Sequence, residues 1–187
     1  MTTMLGLSAL LPDSPFASRL KATKNIRTTR TRNDGCRPTI SEGDENQERS
    51  DRDMIPFSRI SPDLNVSEIV EYIKAKGHSV KNYGDDSGQS VDYPDFIHPL
   101  AKQVSENNEQ TGIIICGSGN GVSMVANKYN GVRAAICWNK ELASLSRQHN
   151  NANVLSLPAR FLTKEEAIEI VDVFLTTDFE GGRHERR

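Results

Sequence analysis

Beyond Leu64 the chain alternates short apolar runs with helical periods, and this alternation constrains the fold more than any other feature. VSEIVEYIKAKG places Val66, Ile69, Val70 and Ile73 on one helical face, with Gly77 where a helix C-terminus is capped. HSVKNYG (78–84) reads as a short strand and DDSGQS (85–90) as a polar loop. Pro94 suits the first turn of a second helix, continued by Ile97, Leu100, Ala101 and Val104. TGIIIC (111–116) is an apolar run of the kind buried on both faces of a parallel sheet. GVSMVANKY then reads as helix, VRAAICW (132–138) as strand, KELASLSRQ (140–148) as helix and NVLSLP (153–158) as strand. TKEEAIEIVDVFLTT (163–177) is an amphipathic helix, opened by a Thr163–Glu166 capping box. Parallel strands need crossovers, and helices at this spacing supply them. The expected fold is α/β: a doubly wound, Rossmann-like parallel sheet in a three-layer sandwich spanning 54–187.

The first part of the chain has a different character. Residues 1–55 are rich in Thr, Ser, Asn, Arg and Asp, and SEGDENQERSDRD (41–53) has too little apolar surface to fold by itself. Residues 1–53 are therefore expected to form a disordered or loosely ordered leader. Asp13 is the sole acid before Asp34, so the leader reads either as an organellar transit peptide or as low-complexity sequence without a targeting role. A formal net charge of -2 argues against a nucleic-acid surface, and no apolar run is long enough for a membrane span. Three cysteines without a CxxC pair suit a reducing compartment rather than a disulfide framework.

The densest chemical signal is IIICGSGNGVS (113–123). In a doubly wound sheet, ligands bind beyond the carboxyl ends of the strands, which is where this strand–loop–helix junction belongs. Gly117, Gly119 and Gly121 let the backbone approach a ligand, and N–H groups at a helix start favour an anion or a developing oxyanion. The same partial charge favours the thiolate of a neighbouring cysteine. Cys116 is thus either a packed strand-end residue or a functional thiol. A dinucleotide fingerprint is not completed, because its third glycine would fall on Val122, and no acidic residue closes the following strand near Trp138 to bind a ribose. SRQHNNAN (146–153) is expected to carry His149 and Asn150 to the same binding edge. Arg183 and Arg187, four apart in FEGGRHERR (179–187), would present two guanidiniums on one face of a helical turn, an arrangement that suits a phosphate.

Five blocks in order, VDYPDF (91–96), ICGSGNGVSMVANK (115–128), GVRAAICW (131–138), SRQHNNANVLSLPAR (146–160) and VDVFLTTDFEGGRHERR (171–187), resemble the type B ribose-5-phosphate isomerases, a family that includes galactose-6-phosphate isomerase subunits. The resemblance covers about residues 66–187. It implies a metal-free and cofactor-free aldose–ketose isomerase of a sugar phosphate, cytoplasmic, working as a homodimer or dimer of dimers whose sites draw on both subunits. It implies Cys116 as the base that moves a proton between C1 and C2, and His149 as the ring-opening acid. The loop Gly117, Ser118, Gly119, Asn120 and Gly121 would hold the oxyanion, Asn150 a sugar hydroxyl, and Arg160, Arg183 and Arg187 the remainder of the substrate. Some relatives place a Glu base just after the glycine loop; here Val122 stands there, which leaves Cys116.

One departure bears on activity. The family opens with a strand ending in an Asp-His-Ala-Gly-like motif, which falls here on Ser58-Arg59-Ile60-Ser61-Pro62. Pro56 is also unwelcome in a central strand. Three readings follow: a ribose 5-phosphate isomerase with a weakened ring-opening step, a non-catalytic member that binds sugar phosphate or partner subunits, or a first strand replaced through an altered transcript. A hexose 6-phosphate is the alternative substrate.

Overall fold

The computed structural model describes residues 53–60, 63–85, 87, 89–107 and 109–187. Apart from Asp53, the expected leader lies outside them. Among the described residues five strands and five α-helices follow in order: β1 (Met54–Arg59), α1 (Val66–Ala75), β2 (Ser79–Asn82), α2 (Tyr93–Glu106), β3 (Gly112–Cys116), α3 (Asn120–Ala126), β4 (Ala134–Ile136), α4 (Lys140–Asn150), β5 (Val154–Pro158) and α5 (Lys164–Thr176). The strands form one sheet in the order β2-β1-β3-β5-β4, and every pairing is parallel.

The pleat sends alternate residues of β3 into two cores. Ile113 and Ile115 pack with Ile69 and Ile73 of α1, Ala143 of α4, and Ile170, Val171 and Phe174 of α5. Ile114 packs on the other face with Ile97, Leu100 and Val104 of α2 and Val122 and Val125 of α3. All three isoleucines are fully buried, as a central strand covered on both faces requires. The doubly wound three-layer sandwich read from the sequence is the architecture observed.

Helix boundaries follow local chemistry. Thr163 and Glu166 form the capping box at the start of α5: the Glu166 amide donates to Thr163 Oγ1, and the Thr163 amide to Glu166 Oε2. Asn139 Oδ1 caps α4 by accepting from the Leu142 amide at 2.9 Å. Gly77 follows the end of α1 at φ +93°, a conformation only glycine adopts without strain.

MIPFSR is a strand, and a central one, between β2 and β3. Pro56 is tolerated because of register. The carbonyls of Asp53, Phe57 and Arg59 accept from β2 and the loop beyond it, whereas the Ile60 amide donates to Ile115 beside it in β3. Even-numbered residues of β1 therefore turn their amides toward β3, and pairing with β3 begins only at Phe57↔Ile113. The amide that Pro56 lacks would point past the start of β3, so no ladder bond is lost there.

Candidate active site

The carboxyl edge of the sheet carries the first group of candidate residues. Cys116 ends β3, opposite Pro158 of β5, and is half-buried. The chain then turns through Gly117–Gly119 into α3. Gly119 sits at φ +72°, and a Cβ there would lie 3.0 Å from Ser156 Oγ. Its carbonyl accepts from Ser123 Oγ at 2.7 Å and Ser156 Oγ at 3.0 Å, which fixes the peptide. A Cβ on Gly121 would fall 2.7 Å from the Tyr93 ring, and one on Gly117 would fall 3.1 Å from Arg160 Nε. The three glycines thus admit a bulky side chain or a hydroxyl on each side of the loop.

With those contacts fixed, the amides of Gly117, Ser118, Gly119 and Gly121 donate to no acceptor among the described residues. Asn120 N lies 3.4 Å from Ser118 Oγ. Unpaired amides converging at a strand–helix junction are suited to an oxyanion. Arg160 is held above the loop: its amide donates to Gly117 O at 3.1 Å and its Nε to Asp63 Oδ2 at 3.2 Å. A cavity of about 400 Å³ opens beside the loop, lined by Ser118, Asn120, Ile136, Trp138, Pro158 and Phe161. Cys137 is buried against the other core; desolvation pushes its thiol up to about 11, opposed by a contact to Ser146.

The second group lies elsewhere, and the sequence expectation is corrected here. His149 and Asn150 are not at the binding edge. A helix that follows a parallel strand runs back, so the end of α4 arrives at the amino edge of the sheet. There the two residues line a cavity of about 720 Å³ with Asn127, Arg133, His184 and Arg187. Ala134, the first residue of β4, and Ala152, two residues before β5, also face it. Gly112 pairs with Val154 on this edge and Cys116 with Pro158 on the other, a separation of about 13 Å at 3.3 Å per residue. Within one chain, Cys116, the glycine loop and Arg160 stand at one edge, and His149, Asn150 and Arg187 at the other.

The C-terminal segment is also not the helical turn expected. The amides of His184 and Arg187 donate to Gly181 O at 3.0 Å and His184 O at 3.1 Å, giving successive tight turns. Gly181 and Gly182 at φ +65° and +58° redirect the chain and remove the helical register that would align Arg183 with Arg187. Arg187 faces the cavity, while Arg183 turns its Nε onto His184 Nε2 at 3.2 Å.

Two residues that sequence reasoning passed over join this cluster. The His149 and His184 rings stack at 4.3 Å with an interplanar angle of 3°. Glu180 Oε2 lies 3.8 Å from Nε2 of both rings. The buried His184 is shifted toward its neutral form by desolvation first, then by His149, Arg183 and Arg187. The signal available in the sequence was the spacing of Glu180 and His184, four apart.

A doubly wound sheet with a glycine loop at its carboxyl edge and arginines and histidines around a second cavity defines an α/β protein built to hold a small anionic ligand. The chain belongs to the ribose/galactose isomerase family, whose pattern matches residues 65–187. It is 42% identical over 120 residues to the ribose-5-phosphate isomerase B of Escherichia coli, covering 64% of this chain and 80% of that one. It is 42% identical over 115 residues to the D-erythrulose-4-phosphate isomerase of Pectobacterium atrosepticum, covering 61% and 76%. The crystal structure of ribose-5-phosphate isomerase B from Mycoplasma genitalium with bound ribulose-5-phosphate superposes with a TM-score of 0.68 at 44% identity, covering 72% of this chain and 90% of that one. Arg59, at the end of β1, lines a separate groove with Phe57, Val70 and Glu71.

Proposed function

We propose that the protein is a cytoplasmic aldose–ketose isomerase that interconverts ribose 5-phosphate and ribulose 5-phosphate. The observation that carries this reading is the fixed glycine loop, with its unpaired amides directly after Cys116, in a chain of this family. The Cys116 thiolate removes the C2 proton of the open-chain aldose. The electron pair moves onto O1, where the loop amides hold the oxyanion of the enediolate. The thiol then returns the proton to C1 while the proton of the C2 hydroxyl passes to O1, which gives the ketose. Before that step His149 protonates the ring oxygen while the anomeric hydroxyl releases its proton to water, and the furanose opens to the aldehyde. Asn150 holds a sugar hydroxyl, and Arg160, Arg183 and Arg187 bind the phosphate and the chain. No step calls for a metal or a cofactor.

The two edges cannot serve one substrate within a single chain, since about 13 Å of sheet separates them. A two-fold homodimer resolves this: the His149 edge of each copy meets the Cys116 edge of the other, forming two equal sites. Trp138 and Phe161, 56% and 70% exposed beside the glycine loop, are apolar surface that such an interface would cover.

The test is turnover of ribose 5-phosphate by the purified chain, with Cys116→Ala abolishing it. The sequence Ser58-Arg59-Ile60-Ser61-Pro62, where the resemblance puts an Asp-His-Ala-Gly-like motif, favours a second reading, a fold that binds sugar phosphate without turnover. Calorimetric binding of ribulose 5-phosphate without conversion would select that reading. Faster conversion of allose or galactose 6-phosphate would move the substrate to a hexose.

A further inference from the structure

His184 occupies the centre of the amino-edge cluster without a role in the reaction just proposed. It is buried, and its Nδ1 has no hydrogen-bond partner among the described residues. One face of its ring lies flat on His149 and its Nε2 accepts from Arg183. The segment that carries it is fastened to the end of α4: the Glu180 amide donates to Gln148 O at 3.1 Å, and Arg147 Nε to Thr177 O at 3.1 Å.

A metal fits this cluster poorly. His149, Glu180 and His184 offer ligand atoms within 4.8 Å of one another. Parallel rings, however, direct their lone pairs side by side rather than to one point, and a guanidinium already occupies His184 Nε2. A neutral imidazole that stacks on one group and accepts from another does fit.

We infer that His184 is a positioning residue that sets two working groups at once, the His149 ring through the stack and the Arg183 guanidinium through its Nε2 lone pair. This rests on the isomerase reading. Accepting from Arg183 requires Nε2 to be unprotonated. The groups facing His184 are His149 from α4, Arg133 across the cavity, and Glu180, Arg183, Glu185 and Arg187 from its own segment. Four of these six are cationic or can become so, and they favour the neutral ring. Acid therefore breaks the Arg183 contact: as pH falls below the ordinary histidine range near about 6.5, His184 gains a proton and repels the guanidinium. Folding stability moves the same way, because the unfolded chain binds that proton more readily.

The test uses the full chain and paired variants. His184→Phe keeps a stacking ring and removes the acceptor; the KM for ribose 5-phosphate is expected to rise about tenfold with kcat nearly unchanged. In an Arg183→Gln background the same change should add nothing, since the guanidinium it positions is gone. His184→Asn removes the stack and should lower kcat about tenfold, whereas His184→Phe, which keeps a stacking ring, should not. The wild-type KM should rise below about pH 6.5, and that of His184→Phe should not. Additive effects in the Arg183 pair, equal kcat for His184→Asn and His184→Phe, and equal pH profiles would overturn the inference and leave His184 as packing. A wild-type chain without turnover would instead refute the isomerase reading. Calorimetry with inorganic phosphate then decides the Arg183 half: His184→Phe must weaken binding, and an unchanged Kd overturns it.

Discussion

At the residue scale, the chemistry proposed for Cys116 depends on its neighbours being small. Gly119 is held in the left-handed region, and its carbonyl is tied by Ser123 and Ser156. Gly119→Ala places a Cβ in a conformation costing about 1–2 kcal/mol and against Ser156, so denaturant unfolding should show a loss of that size. The two described cysteines should also differ in reactivity. Burial pushes the Cys137 thiol up to about 11, so almost none of it is thiolate at neutral pH. Iodoacetamide at pH 7.5, read by peptide mass mapping, should label Cys116 well before Cys137, and substrate should protect Cys116. These two thiols were separable in the sequence only by the glycines after Cys116; burial of Cys137 came from the opposite phase of the pleat.

At the element scale, stability rests on helix ends and on one link between helices. Thr163→Ala removes the capping box of α5 and should cost about 1 kcal/mol, seen as a drop of a few degrees in melting temperature. Asp172 of α5 accepts from Tyr72 at 2.7 Å and pairs with Lys76 at 2.8 Å, joining α5 to α1. The Lys76 contact first, then Tyr72, holds its carboxyl below the usual range. A depressed carboxylate stabilises the fold above its unfolded pKa and loses that contribution as pH falls through the folded one. Asp172→Asn should therefore melt below the wild type at pH 7, with the gap closing as pH falls below the ordinary aspartate range.

Most elements were legible because each apolar face is written in its own local period. The capping box was visible as Thr163 and Glu166 for the same reason. What local sequence concealed was direction and register. Pro56 read as a reason against a central strand, yet its missing amide points where β3 has not begun. His149 read as a binding-edge residue, although the return direction of α4 carries it to the opposite edge. The Glu180–His184 pair was passed over because its meaning lies in contact with His149 across a chain turn that the two glycines create.

At the scale of the whole molecule, the central claim is that two chains share each site, with Cys116 from one and His149 from the other. Cys116→Ala and His149→Asn proteins are each expected to be inactive and to keep their fold. Unfolded together in equal amounts and refolded, half of the dimers should be mixed, and each mixed dimer should hold one intact site of two. Isomerisation of ribose 5-phosphate should then recover to about a quarter of the wild-type rate. Failure to recover any activity, with mixed dimers demonstrated by native mass spectrometry and wild-type turnover intact, would contradict the shared site.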